Sequence, residues 1–405
     1  MAHKTPTSTG RVDGLSGTNL SKAGDYNQRV VLQAIRAKGD VTRLELAKLT
    51  GLSHQSVFNI CRRLIDEGTI SEVGRTSGGR GQPATRVAIK ADGAFALGLN
   101  IDRDHMTLVL MDLSGEVKYR IYADKHFALP HDVLEFLRIS IDDILKKNLI
   151  PKSRLIGLGV AIPDRLGGVE VAERPKDYDQ WSSFDFLGAA QAALMMPVYR
   201  ENDATSAAIG EAQFGRGINH TSFVYILISA GLGCGLIING RSYAGSLTHA
   251  GEIGNIPIVL RDGSPGTLWN VVSLYALYVE LEKYGIAVDS PDDLSESDQA
   301  MQPAIDAWVE MAADAMLQPF LAITYILSPN VHFIGGQLPH FITIKLCDAL
   351  NIRTAAQEGA IPLTRFEPST TSKDAAALGA AVLVIQSRLL PRVELLTNDA
   401  LGRTA

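Results

Sequence analysis

Residues 42–70 read TRLELAKLTGLSHQSVFNICRRLIDEGTI, and the spacing within them decides the N-terminal fold. Thr42 followed three positions later by Glu45 has the form of a capping box, in which each side chain satisfies an amide left open at a helix start. It predicts a short helix through Leu46 and Leu49 to Gly51. Ser53 can cap the next helix, whose Val57, Cys61 and Leu64 fall on one face at i, i+4 and i+7. Gln55, Ser56, Asn59, Arg62 and Arg63 are left largely off that face. Upstream, Val30, Val31, Ala34 and Ile35 supply an apolar stripe at helical spacing that should stop near Gly39. Downstream, Gly68 ends the third helix, and Thr69–Val73, a Gly/Arg-rich segment and Thr85–Ile89 read as a hairpin with a long tip. Helices followed by a hairpin in this order make a winged helix-turn-helix, expected over residues 25–90. Residues 1–24, rich in Thr, Ser, Gly and Lys without apolar periodicity, are expected to form a disordered tail.

Polar side chains on the exposed N-terminal half of a second helix are what major-groove readout requires. Gln55, Ser56 and Asn59 meet that requirement, while His54, Arg62 and Arg63 are better placed for phosphates or neighbouring bases. Ser53 opens the same helix and completes the set. In the tip, Arg80 lies among glycines and can either enter an A·T-rich minor groove or belong to a plain wing tip.

Charge divides along the same line. Residues 1–90 hold 14 Lys and Arg against 7 Asp and Glu, a charge of +7, which leaves −13 on residues 91–405. A basic module on an acidic body suits one end that binds a polyanion and a remainder that stays off it. Cys61, Cys234 and Cys347 are far apart, so neither a disulfide framework nor a thiolate metal site is expected, and a reducing cytoplasm is the natural location. No secretory signal is expected at the N-terminus. The most apolar stretch, Phe223 to Asn239, carries Gly231, Gly233 and Gly235 and reads as two strands around a turn rather than a membrane helix.

After Asp92-Gly93, strand and helix patterns alternate, the mark of an α/β region. Strands are predicted at Phe95–Ile101, Met106–Asp112, Leu155–Ala161, Val198–Glu201, Ser222–Ser229, Gly235–Ile238 and Val331–Ile334. Helices are predicted around His131–Lys147, Thr205–Phe214, Leu268–Tyr284, Met301–Leu327 and Ala375–Ser387.

Together with GGRGQPA at 78–84, the stretches ENDATSAAIGE, GLGCGLIINGRSYAG, HAGEIGN and FIGGQL occur in an order and spacing that resembles the ROK family of repressors, open reading frames and kinases. The likeness runs from about Asn27 to Leu390 and is to the transcriptional regulators of the xylose and N-acetylglucosamine repressor kind. It implies a two-lobed, actin-like (ribonuclease-H-like) domain over 91–405. Lobe 1 would take about 91–200 plus a C-terminal helix near 375–390, and lobe 2 about 201–370, with a ligand cleft between them. The family's kinases use the Asp of an Asn-Asp pair as base toward a sugar hydroxyl, and Asn202-Asp203 matches that pair. A carboxylate so placed can also simply bind the hydroxyl, or Asp203 can cap the helix that follows it. Glu252 and Asn255 match positions that would contact other hydroxyls.

Two departures bear on chemistry. The kinases' Asp-Ile-Gly-Gly-Thr corresponds to Asn100-Ile101-Asp102-Arg103-Asp104, so two carboxylates are expected where phosphate would sit. The family's His and three Cys zinc ligands are also missing, with Asn255 at the His position and no cysteine from there to Thr267. That segment is expected to be held by Ile256, Leu260, Leu268 and Trp269 instead. The resemblance therefore implies a DNA-binding regulator, expected to be a repressor and a homodimer or higher homo-oligomer, whose cleft takes a sugar or polyol without catalysis, metal or cofactor. A sugar kinase with an appended DNA-binding module is the alternative, which the retained Asp203 supports.

Overall fold

A computed structural model describes residues 20–75, 84–147, 149–164, 166–168, 174–357 and 362–391. Contacts divide the chain into two compact units, the first comprising residues up to Gly93 with those from Gln386 onward, the second Ala94–Ile385. In the first unit, α1 (Leu20–Lys38) is followed by β1 (Val41–Thr42), α2 (Arg43–Thr50), α3 (His54–Asp66), β2 (Ile70–Arg75) and β3 (Thr85–Ile89). Helix α1 thus starts inside the stretch assigned by composition to a tail, because the good helix formers Lys22 and Ala23 extend it backwards. Thr42 and Glu45 form the capping box, Gly51 ends α2 in the left-handed region at φ 70°, and Ser53 caps α3. Val31, Ile35, Leu46, Val57, Cys61 and Leu64 close one core beneath a three-stranded sheet ordered β1-β3-β2.

The sequence assigned the C-terminal residues wholly to the second domain. Among the described residues, 386–391 group instead with the first unit, where Arg29 Nη1 donates to the carbonyls of Ser387 and Leu390 at 3.1 and 3.2 Å and Leu389 packs against the core.

The second unit contains the same five-stranded topology twice. Its first sheet is built from β4 (Phe95–Ile101), β5 (His105–Asp112), β6 (Val117–Asp124), β7 (Leu155–Ala161) and β8 (Val198–Glu201), with α4 (Pro130–Lys146) and α5 (Phe186–Leu194) between strands. Helix α6 (Asp203–Phe214) leads to the second sheet, made from β9 (Phe223–Ile228), β10 (Leu232–Ile238) and β11 (Arg241–Ser242). A small hairpin, β12 (Pro257–Val259) with β13 (Pro265–Thr267), and the helices α7 (Leu274–Lys283) and α8 (Gln302–Leu327) come next. Strand β14 (His332–Gly336), α9 (His340–Ala356), β15 (Phe366–Pro368) and α10 (Ala375–Leu389) complete the order. The sheets run β6-β5-β4-β7-β8 and β11-β10-β9-β14-β15. In each, the first three strands in sequence pair antiparallel and the last two add in parallel.

Each lobe has its own apolar core, around Leu97, Leu108, Leu137 and Leu158 in one and Ile226, Leu277, Trp308 and Ile334 in the other. Helix α10 lies flush on the first sheet. A methyl group at Gly98 or Gly159 would overlap the backbone of Ala377 or Ala380, so both strands need glycine there. The segment from Ile256 to Asn270 is held by Leu268, fully buried, with Ile256 and Ile258 packed against the second core and Asn270 Oδ1 accepting from Thr267. Among the described residues no helix is long and apolar enough to cross a membrane.

Candidate nucleic-acid interface and ligand cleft

Helix α3 sorts its residues cleanly. Val57, Ile60, Cys61 and Leu64 are buried, while Gln55, Asn59 and Arg62 recur at i, i+4 and i+7 on the opposite, exposed side. Gln55 Nε2 donates to Asn59 Oδ1 at 3.2 Å, which holds two amide-bearing side chains together on that stripe. Exposed His54 lies at the first position of the helix, and half-buried Ser56 flanks the stripe.

Two of the predicted DNA-binding side chains are engaged in other ways. Ser53 Oγ accepts from Ser56 N at 3.2 Å and serves as the helix cap. Arg63 Nη1 donates to Gln28 of α1 at 3.0 Å, and Gln28 in turn donates to Glu67, so its head is turned towards the neighbouring helix. Arg80 lies outside the described residues. Sequence reading missed Phe58, which is 49% exposed beside the stripe with the Arg43 guanidinium 5.6 Å from its ring centre. An exposed aromatic within a polar pattern was the available signal, since apolar groups contact the thymine methyl.

In the second unit, a cavity of about 300 Å³ is lined by Asn202, Asp203, Glu252 and Asn255 together with Arg103 and Asp164. All four predicted ligand-contacting residues therefore meet in one place. Strand β8 delivers the Asn202-Asp203 pair to the start of α6, and a short 3-10 turn over Ile253–Asn255 presents Glu252 and Asn255.

The cap of α6 is Asn202 rather than Asp203, because Asn202 Oδ1 accepts from Thr205 N at 3.1 Å. Its amide nitrogen donates to Asp164 Oδ2 at 3.5 Å. Asp203 is instead the first helical residue, with Oδ1 accepting from Ala204 N at 2.8 Å. Burial, reinforced by the nearby Asp102 carboxylate, pushes Asp203 up to about 7, against the pull of the Ala204 N–H and Arg103. Asn255 Nδ2 donates to Glu252 Oε2 at 3.0 Å, fixing the two exposed groups relative to each other. His249 is exposed and is absent from the cavity lining.

The turn between β4 and β5 differs from expectation. Asp104 does not line the cavity and binds His105 Nδ1 at 2.6 Å. Burial opposes charge on both groups, but their pairing outweighs it, lowering Asp104 and raising His105 from their ordinary values. Asp102 is buried and accepts from Arg103 N at 2.7 Å. The side chain that enters the cavity is Arg103, and a methyl group on Gly231 would come within 2.9 Å of its Nη1. Asp164, held by Arg200 Nη2 at 2.9 Å, is a second charged lining residue that sequence reading missed. Asp102, Asp104 and His105 are also close enough to be compared with a metal site. The direct His105–Asp104 bond and the Arg103 amide already account for that proximity.

A winged helix-turn-helix joined to a duplicated, actin-like α/β domain with a polar cleft defines the class. The ROK family matches residues 96–387, and a winged helix-turn-helix DNA-binding family matches residues 25–71. The chain belongs to the ROK family and is a DNA-binding transcriptional regulator within it. It is 30% identical over 239 residues to a xylose repressor of Bacillus spizizenii, spanning 57% of this chain and 60% of that relative. It is 26% identical over 394 residues to a xylose repressor of Caldicellulosiruptor bescii, spanning 90% and 96% respectively. A crystal structure of a ROK family transcriptional regulator, described as a homolog of the Escherichia coli MLC protein, shares the fold with a TM-score of 0.66 at 23% identity, over 90% of this chain and 96% of that one.

Proposed function

We propose that the protein is a repressor, acting in the cytoplasm as a homodimer on operator DNA and controlled by a sugar or polyol bound in the cavity of the second unit. The domain boundary proposed lies near residue 90. Gln55 and Asn59 read bases, Arg62 and His54 contact phosphates or neighbouring bases, and Ser56 and Phe58 border them. Ser53 and Arg63 support the helix, and Arg80 is proposed to reach DNA from the wing. The observation that carries the effector reading is the convergence of Asp203, Glu252 and Asn255 on one cavity. Groups of that kind bond hydroxyls, and leaving them unpaired on desolvation costs about 1–3 kcal/mol each. The relatives' names as xylose repressors support the same reading.

The cleft is proposed to bind without phosphorylating. Kinase chemistry needs backbone that approaches phosphate closely and donors aimed at its oxygens. Here the first glycine turn of the kinases is replaced, Asp102 is buried there, and Arg103 lies across Gly231. One feature favours the kinase alternative, since a carboxyl pushed up to about 7 is suited to take a hydroxyl proton. Calorimetry against a carbohydrate panel, for the parent and Asp203→Ala, beside a coupled assay for ADP release, tests both readings. Effector binding lost in the variant with no ADP released is expected. Unchanged affinity would remove the site assignment, and sugar-dependent ADP release that the variant abolishes would establish the kinase.

A further inference from the structure

Arg103 is the one cationic side chain among the described residues lining the cleft, and its surroundings leave it underused. Its Nε is buried with no hydrogen-bond partner, and its Nη1 stands 4.0 Å from Asp102 Oδ1, beyond hydrogen-bond distance. The neighbouring carboxylates have other donors. Asp104 takes His105, Asp164 takes Arg200, Asp102 takes the Arg103 amide and Glu252 takes Asn255. The guanidinium thus donates no side-chain hydrogen bond to any of them, and its link to Asp102 is an ion pair at 4.0 Å that leaves its N–H groups unfilled. The guanidinium packs against the side-chain-free turn at Gly231, and both line the same cavity.

A planar guanidinium with unfilled donors matches the paired oxygens of a carboxylate or phosphate better than a single hydroxyl. Arg103 shares one cavity of about 300 Å³ with Asp203, Glu252 and Asn255, so a single small molecule can reach both ends. We infer that the effector is an acidic sugar, a polyhydroxylated molecule bearing a carboxylate or a phosphate ester, whose anionic group is seated on Arg103. The inference rests on the reading of the cavity as a sugar site and adds the chemical class of its ligand.

The test is calorimetry on the full chain at fixed ionic strength with glucose, N-acetylglucosamine and xylose, each beside its aldonic acid and its terminal phosphate ester. In at least one series an acidic member should bind about tenfold or more tighter than its neutral parent, as charge-assisted hydrogen bonds allow. Whether the acid or the ester wins identifies the source of the anion. Arg103→Met should collapse that ratio to about one, and Arg103→Lys, which keeps the charge but loses the fork, should retain part of it. A neutral sugar that binds as tightly as its acidic partners would overturn the inference while leaving the sugar-effector reading intact. The same holds for a preference for acids that survives in Arg103→Met. Absence of binding in every series would overturn the effector reading, and this inference with it.

Discussion

Asp203→Asn should make the effector domain more stable, and more so at alkaline than at mildly acidic pH. The folded protein raises this carboxyl from 3.8 to about 7, so the folded state holds its proton to a higher pH than the unfolded chain does. The resulting penalty is absent below 3.8, grows as pH rises through that window and is complete above about 7. Its ceiling is about 4 kcal/mol at 1.36 kcal/mol per pH unit. The side chain lines an open cavity, and screening by solvent brings the expected value down to about 2 kcal/mol. Roughly half of that develops between pH 5.5 and pH 8.5, about 1 kcal/mol. Asparagine removes the charge and keeps an oxygen for the Ala204 amide. The three tryptophans, Trp181, Trp269 and Trp308, all lie in the Ala94–Ile385 unit, so urea unfolding followed by their fluorescence reports on that unit. The difference between variant and parent should widen by about 1 kcal/mol from the lower to the higher pH. An equal difference at both values would refute the burial and repulsion assigned to Asp203.

Replacing Gln55 and Asn59 together with alanine should weaken binding to the protein's own promoter DNA from several-fold to hundreds-fold, at about 1–3 kcal/mol per good base contact, as measured by fluorescence anisotropy. In the same assay Arg63→Ala should cost less than Arg62→Ala, because Gln28 already holds the Arg63 head. Gly159→Ala should lower the urea midpoint seen by tryptophan fluorescence, at a cost of about 1–3 kcal/mol, because the added methyl group overlaps Ala380 and forces α10 off the sheet. Elemental analysis after exhaustive dialysis should find less than stoichiometric zinc, since Asn255 and a cysteine-free hairpin replace the ligand set. One tightly held zinc per chain would contradict that assignment.

Much of this architecture is legible because local chemistry decides it. Thr42, Glu45, Gly51 and Ser53 define the limits of α2 and the start of α3 through caps that depend on a few adjacent residues. Strands β4 and β7 are continuous apolar runs that read as buried in any context. Strand β6 was missed because Lys118, Arg120 and Tyr122 alternate along an edge and give it a polar appearance. Strand β15 is three residues long and is specified by its parallel register with β14, which no local pattern encodes. Helices α5 and α9 were also missed; in α9 apolar residues are spread around the helix instead of forming a stripe. At the site, the Asn-Asp pair locates the cleft, but which member caps α6 depends on a shift of one residue. Arg103 and Asp104 are adjacent in a turn, where periodicity does not say which side chain enters the cavity.

Control of DNA binding by an occupant of the cleft is the central claim. It is tested most directly by the anisotropy of labelled promoter DNA, titrated with the full chain in the presence and absence of a ligand shown by calorimetry to bind the cavity. Saturating ligand should change DNA affinity by about 5- to 150-fold, a coupling of 1–3 kcal/mol, and Asp203→Ala should abolish the change while still binding DNA. DNA affinity that stays the same with the cavity fully occupied would contradict the account.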